Sequence, residues 1–550
     1  MALFHHRIWN HRNLYVGALA LIGFSMPVSP FGMSLGTFIL AGNWLAEGGL
    51  RQKTARLRER KSLLLFISIF LLCLIGLIHT SDMVFAWKDI VVKVPLLALP
   101  LIVGTSPPLT KKEFRIILGA LLAGLWGASL TGIAALLGWT RMEIQNIREI
   151  SVFISHIRLT LITGVTLEVL LYLLNYDKTL KKTGKTIFLL SLLWLAVFLF
   201  ILKSLTGFLM LGILFLTTFL FLVRTVRRFM LKYFIIILGV TVVLLTAAWI
   251  SAATTRYHTH DPLPDPAETG VTANGNRYDP PRDLEETENG HYVWLYLCEK
   301  ELRPAWNRAS DLDYDGHDRK GQDLSTTLIR YMTSKNLRKD SLGFSRMTAD
   351  DIRNVENGMT NYLFTNRFSL YPYFYVLLWE RDHYKKGDLS GHSHTQRLVY
   401  IRAGWQIARD HLWWGVGTGD VPDAYKEYYR KTHSHLAERW QLRAHNQYLT
   451  YWITYGIFGF AWFLAAFFLP LFLEKKQKYF LPVVFIIIAA LSMLYEDTLE
   501  TQAGVYFIAF FYAILIFGID YTVLWRSSTL SPEEDVAPVS TEKRPGNNYE

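Results

Sequence analysis

Cysteine is nearly absent: the chain has two in 550 residues. Cys73 falls in an apolar run and Cys298 in a polar stretch, so neither a disulfide framework nor a thiolate metal site is expected. Charge is sparse too. Asp, Glu, Lys and Arg make up 19% of the residues, below the about 25% usual in soluble domains. No His, Asp and Glu set has convincing ligand spacing, so no metal or cofactor is expected. No internal repeat is present. The start, MALFHHRIWNHR, is basic, but no small-residue cleavage site follows it, so a cleavable signal peptide is not expected either.

What is abundant is apolar surface. The chain is 51% hydrophobic and 14% aromatic, with mean hydropathy +0.20. Apolar runs fall at 13–28, 32–48, 62–79, 89–105, 116–138, 157–175, 187–203, 207–223, 233–252, 446–473, 479–495 and 503–519. Most approach the ~20 residues that a spanning helix needs. The net charge of +11 is gathered in short clusters between these runs. They are His5–Arg12, Arg51–Lys61, Lys111–Arg115, Lys178–Lys185, Arg224–Lys232 and Lys475–Lys478, and each occupies an alternate loop. That is the positive-inside pattern, not a nucleic-acid face. The expectation is an all-α polytopic membrane protein of about twelve spans with both termini cytoplasmic.

One opposite loop is large. Residues 253–444 form a polar region set between a bundle of nine helices at 1–252 and three more at 445–520. It opens on DPLPDPAETGVTANGNRYDPPRDLEETENG, an extended stretch rich in Pro, Gly and acids, and continues with helical patterns. The aromatic stretch YPYFYVLLW, from Tyr371, suits either a membrane surface or a buried helix. DLDYDGHD, from Asp311 to Asp318, starts like a calcium loop, but its twelfth position holds Gln322 where Glu is wanted. The tail at 521–550 is polar and reads as disordered and cytoplasmic.

The chain is organised around residues 392–460. HSHTQRLVYIRAGWQIARDHLWWGVGTGD carries Arg397, Arg402, Trp405 and Ala408 at helical spacings, then breaks at Gly415, Gly417 and Gly419. RAHNQYLTYWITYGIFGF follows, and no charge falls between His445 and Glu474. His445 and Asn446 therefore stand where an apolar helix begins. This order of Arg397, a Trp-containing helix, GVGTGD and HNQYLTYWITYGIFGF resembles the bacterial O-antigen ligase and polysaccharide polymerase superfamily. His445, Leu449, Gly456 and Gly459 match its motif.

The resemblance implies a membrane-embedded, metal-independent inverting glycosyltransferase of the type called GT-C. Its donor would be a glycan on a polyprenyl (undecaprenyl) diphosphate in the bacterial inner membrane. Its acceptor would be a hydroxyl on the periplasmic face, and membrane lipids would surround it. Such a transfer needs a base for the acceptor proton and positive charge for the departing diphosphate. His445 is the candidate base, since an ordinary imidazole titrates near pH ~6.5; the plain alternative is a capping or interface histidine. Arg397 is the first candidate for the diphosphate, since guanidinium matches phosphate oxygens bidentately. Arg402 lies five residues on, ~140° around a helix, so the two cannot share one face. His156 and Arg158 stand at the entry of another span. Lys203 offers charge near Leu205, where many family members have the arginine of Ser-Arg-Gly. Lysine lacks the fork and would meet the donor as a point charge from a different backbone position. Glu496, Asp497 and Glu500, in LYEDTLETQAG, have the alternatives of orienting His445, an arginine or the acceptor, or simple solvation.

A ligase would use a lipid A-core sugar as acceptor, a polymerase the end of another lipid-linked repeat, and a third family activity a protein hydroxyl. A transporter or flippase is the rival from another class. It would show paired broken helices in corresponding halves, and no such symmetry is visible.

Overall fold

The computed structural model describes residues 10–142, 144, 147–263, 270–366, 369–385, 393–434, 436 and 438–524. Most of the tail expectation, most of the His5–Arg12 cluster, part of the Pro-rich stretch and His392 lie outside them. The regular structure of the described chain is helical apart from one hairpin, Thr287–Glu288 against His291–Tyr292, and isolated bridges such as Leu297 with Lys339. It forms two compact units: residues 1–218 with 397–550, and residues 219–396.

The first unit holds α1 (His11–Ser25), α2 (Pro30–Ala46), α3 (Leu50–Glu59), α4 (Lys61–Ile75), α5 (Met83–Thr105), α6 (Lys111–Leu136), α7 (His156–Tyr176), α8 (Lys182–Ile201) and most of α9 (Leu205–Thr225). Among the described residues, six helices are long and apolar enough to cross a membrane. Five are α6, α7, α8, α9 and, in the second unit, α10 (Phe229–His258); the sixth, Gln447–Leu473, belongs to the first unit. The other apolar runs fold as shorter helices, or in α5 carry Lys88, Asp89 and Lys93 within the helix.

The helix signals are local. Thr110 and Glu113 close a capping box at the start of α6. Ser29 caps α2 and Pro30 takes its first position, where a missing N–H costs nothing.

The basic clusters of the first unit come together at one end of its helices. Arg12 forks onto Glu113 at 2.7 Å through both Nε and Nη2. Arg60 forks onto Glu474 at 2.8 and 3.0 Å and also donates to the Gly104 and Phe517 carbonyls. Lys476 donates to the Ile519 carbonyl at 2.8 Å. Cations at helix C-termini answer unsatisfied carbonyls there. If this end faces the cytoplasm, reporter fusions at positions 55 and 476 will report cytoplasm and a fusion at 330 the opposite side. An opposite-side signal at 476 would overturn that topology.

The second unit holds α10, whose residues are largely exposed (Met230 87%, Phe229 72%), then α11 (Glu299–Ala309), α12 (Leu324–Ser334), α13 (Ser341–Phe344), α14 (Ala349–Glu356) and α15 (Tyr371–Lys385). Its core gathers Val293, Leu302, Trp306, Leu328, Met332 and Val355. The aromatic stretch that opens α15 packs within the unit: Tyr375 stands 5.1 Å from Tyr257 and Phe374 5.8 Å from Trp249. The DLDYDGHD stretch turns into α12, with Asp318 accepting the Lys320 and Gln322 N–H groups and the Thr327 hydroxyl.

Back in the first unit, the chain runs through α16 (Ser393–Asp410), α17 (Val421–Lys431), α18 (Gln447–Leu473), α19 (Phe480–Tyr495), α20 (Gln502–Tyr512) and a π turn to Gly518. All of α16 from Arg397 onward belongs here. The helix is amphipathic, but its buried face is Tyr400, Ala403, Gly404, Ile407 and Ala408. Arg402 and Trp405 lie on the exposed side.

Candidate active site

The start of α18 is set by three local devices. The Asn446 side chain accepts the Leu449 N–H at 2.9 Å and donates to the Leu494 carbonyl at 2.9 Å. It is thus an N-cap tied to the end of α19. The hydroxyls of Tyr400 and Tyr429 donate to the Trp440 and Leu442 carbonyls at 2.6 and 2.8 Å, fixing the approach. Between cap and approach, His445 sits at φ +47°, a left-handed backbone rare for a residue with a side chain. Strain of this kind, ~1–3 kcal/mol, persists where surroundings over-determine the geometry, and it clusters at functional sites.

GVGTGD is threaded into α18 itself. At Gly456 the helix is broken, with φ +66° and ψ −174°. The break frees the Ile453 and Thr454 carbonyls, which accept the Val416 and Gly417 N–H groups at 2.8 and 3.0 Å. In return the Ile457 N–H donates to the Leu412 carbonyl at 2.8 Å. The Thr418 hydroxyl then reaches the Cys73 carbonyl at the end of α4, at 2.8 Å. The Asp420 carboxylate accepts the Ser81 and Asp82 N–H groups at 2.8 and 2.7 Å, ahead of α5. The glycines therefore lock the α16–α17 connection to α18, α4 and α5.

The charged residues meet on one carboxylate. Glu496 Oε2 accepts Arg158 Nη1 at 3.0 Å, and Oε1 accepts Arg397 Nη2 at 2.9 Å. His445 Nδ1 lies 3.9 Å from the same Oε2. Arg158 also reaches the Asp497 carbonyl and Arg397 the Tyr495 carbonyl. Glu496 is 4% exposed, so two guanidiniums are gathered on an acid that water barely reaches. A buried charge needs such pairing; one left alone costs several kcal/mol.

Behind it lies a second buried set. Glu500 meets Lys93 at 3.1 Å and Arg443 at 3.6 Å, and accepts Gln447 Nε2 at 3.0 Å. Lys93 also pairs with Asp89 one turn away at 2.6 Å. Asp497 accepts the Thr450 hydroxyl at 2.8 Å. Burial pushes Glu500 up, but Lys93 and Arg443 outweigh it and hold the carboxyl well below its ordinary range. Burial raises Asp497, with Arg443 opposing. For His445 burial is the largest influence. It lowers the imidazole below its ordinary value, with Asp497 and Glu496 pulling upward and Arg397 and Arg443 downward. A half-buried imidazole kept neutral beside two arginines has the makings of a base next to an anion site.

The structure brings together His445, Asn446, Arg158, Arg397, Glu496 and Glu500. The three loop acids are buried and ion-paired or hydrogen-bonded, so the solvated alternative is corrected: the loop folds inward under α18. His156 begins the helix that carries Arg158 and is half-buried. Lys203 is half-buried at φ +46° between α8 and α9, and its neighbour Ser204 lies 3.5 Å from Thr160 in the first turns of α7. Burial lowers the Lys203 ammonium. Among the described residues no hydrogen bond or ion pair joins Arg402 to this cluster. Sequence reading passed over Lys93, Asp89, Arg443 and Gln447. A signal was there for two of them: Asp89 and Lys93, four apart, interrupt an apolar run with opposite charges.

Residues 359–464 match the family described as O-antigen ligase. The match includes Arg397, Arg402, His445, Asn446, Gly456 and Gly459, and leaves Arg158, Lys203, Glu496 and Glu500 outside it. No curated protein matches the chain.

Proposed function

We propose, from the match of residues 359–464 to the family described as O-antigen ligase, that the chain is a member of that superfamily and an inverting membrane glycosyltransferase. It moves a glycan from an undecaprenyl diphosphate donor to an acceptor hydroxyl, a lipid A-core sugar in the ligase reading, on the periplasmic face of the inner membrane. The observation that carries this reading is the meeting of His445, Arg158 and Arg397 on Glu496. The two arginines offer planar forks to a diphosphate, and Glu496 holds them in place until the donor arrives. His445 takes the acceptor proton as the hydroxyl attacks the anomeric carbon and the diphosphate leaves with the bonding electrons. Asn446 fixes the backbone from which His445 projects. Gln447 and Glu500, braced by Lys93 and Arg443, fix the loop that presents Glu496.

The test is glycan transfer by the purified protein in detergent, from a polyprenyl-diphosphate-linked glycan to a defined acceptor. A transporter or flippase would transfer nothing. Surface glycans of a deletion strain separate the acceptors, with unattached polymer expected of a ligase and single repeats of a polymerase.

Two outcomes follow for the charges. Arg397→Ala is expected to weaken donor binding and lower turnover together, because it removes a charged phosphate partner worth ~1.5–3 kcal/mol. Arg397→Lys restores only part, since an ammonium has no fork. Donor titration of the initial rate checks both, and full activity in Arg397→Ala would reject the assignment. Transfer is also expected to survive EDTA, because the arginines supply the positive charge that a metal ion supplies elsewhere. Loss in EDTA restored by one divalent ion would overturn this.

A further inference from the structure

The second unit contains a cavity of about 740 Å³ that the transfer chemistry does not use. Its lining includes Tyr278, Tyr296, Arg338, Lys339, Asp340 and Arg346. The floor is rigid, because the backbone of Lys339 pairs with both neighbours of Leu297: its N–H donates to the Tyr296 carbonyl at 3.0 Å and its carbonyl accepts the Cys298 N–H at 2.8 Å. Leu297, across that pairing, belongs to the core that includes Trp306 and Leu328.

The charges in this cavity do not cancel. Asp340 is spent: it accepts the Tyr278 hydroxyl at 2.7 Å and caps α13 through the Gly343 N–H at 2.7 Å. Asp261, on the rim, is paired with His291 at 2.6 Å. Lys339 is 3% exposed, and its ammonium donates to the Tyr292 carbonyl at 3.2 Å. Among the described residues it forms no ion pair, and neither does Arg338 or Arg346. An ammonium has three donors, and a buried one without a carboxylate is held at a cost. Arg338 lies over the rings of both Tyr296 and Tyr278, 4.6 and 5.9 Å from their centroids, which are 5.5 Å apart. Half-exposed rings beside an unpaired buried cation offer an apolar face and an anion partner within one concave site.

We propose that this cavity binds an acidic saccharide, with its carboxylate or phosphate on Lys339 and Arg338 and its sugar ring on Tyr278 and Tyr296. Burial brings the Lys339 ammonium down to about 7, with Asp340 opposing. A bound anion favours the charged form, so binding takes up a proton and weakens as pH rises above about 7.

The site is read by binding, independently of glycan transfer. The full-length protein in detergent is titrated with trigalacturonate, maltotriose and inorganic phosphate by calorimetry at pH 6 and pH 8.5. Trigalacturonate is expected to bind at least ~10-fold tighter than maltotriose or phosphate, and tighter at pH 6. Lys339→Met, which keeps the bulk and drops the charge, and Arg338→Ala, at an exposed position, are each expected to lose at least ~10-fold, with detergent melting confirming that both variants fold. Equal affinity for maltotriose overturns the acid requirement, equal affinity for phosphate overturns the saccharide, and unchanged binding in both variants overturns the site.

Discussion

His445→Ala is expected to lower glycan transfer by ~10²–10⁴-fold, the usual worth of a positioned general base, while leaving donor binding nearly intact. In the proposed chemistry the two effects separate because His445, 3.9 Å from Glu496, would take the acceptor proton, while Arg158 and Arg397 would hold the donor. Single-turnover rates against donor concentration read the two apart. The pH profile adds a sign. The base works as neutral imidazole, and burial lowers its proton affinity below the ordinary value. The acid limb of the wild-type profile is therefore expected below pH ~6.5, so the rate holds at pH values where an ordinary histidine would already be protonated. Expression and detergent melting are checked first, since α18 begins beside this residue. A folded His445→Ala protein that transfers at near wild-type rate would show the base to be elsewhere, with Glu496 or Glu500 next in line, or that positioning and charge suffice.

Gly456→Ala is expected to cost at least ~3 kcal/mol and to remove most folded protein from the membrane. A Cβ there would stand 2.1 Å from the Trp413 carbonyl oxygen and 2.5 Å from the Trp414 nitrogen, both backbone atoms that cannot swing aside. The conformation, φ +66° with ψ −174°, is one that essentially only glycine occupies. Gly415 faces it from the other strand of the exchange, with a Cβ landing 2.4 Å from the Thr454 carbonyl. Gly42, in the interior of α2, is the control. A Cβ there meets nothing within 4 Å, and alanine is the better helix former by up to ~1 kcal/mol. Gly42→Ala is therefore expected to be neutral or stabilising. Detergent melting of both variants decides. Equal melting temperatures would mean that the α18 break is not what holds the GVGTGD segment.

The residues alone determined a good deal. Apolar runs of spanning length and basic clusters in alternate loops made the helical membrane class legible, because both are set by local solvent, one residue at a time. The motif order from Arg397 to Gly459 pointed to the O-antigen ligase superfamily, and the match at 359–464 lies over the same stretch. His445 was legible because a titratable group at the start of an apolar helix is conspicuous.

Other features were decided only by tertiary structure. Arg158 and Glu496 are 338 positions apart, and no local pattern links them. The acids at 496–500 look like an ordinary solvated turn, and only the packing of α18 against α19 turns them inward. Lys93 and Arg443 become partners only because both reach Glu500. The buried face of α16 ran through Tyr400, Ala403 and Ile407 because docking, more than the spacing of arginines, chooses which side meets the core. Gly456 reads in sequence as one small residue among many. In the fold it is where a helix gives up its own hydrogen bonds to hold a loop, and burying those carbonyls required partners that only the distant chain could supply.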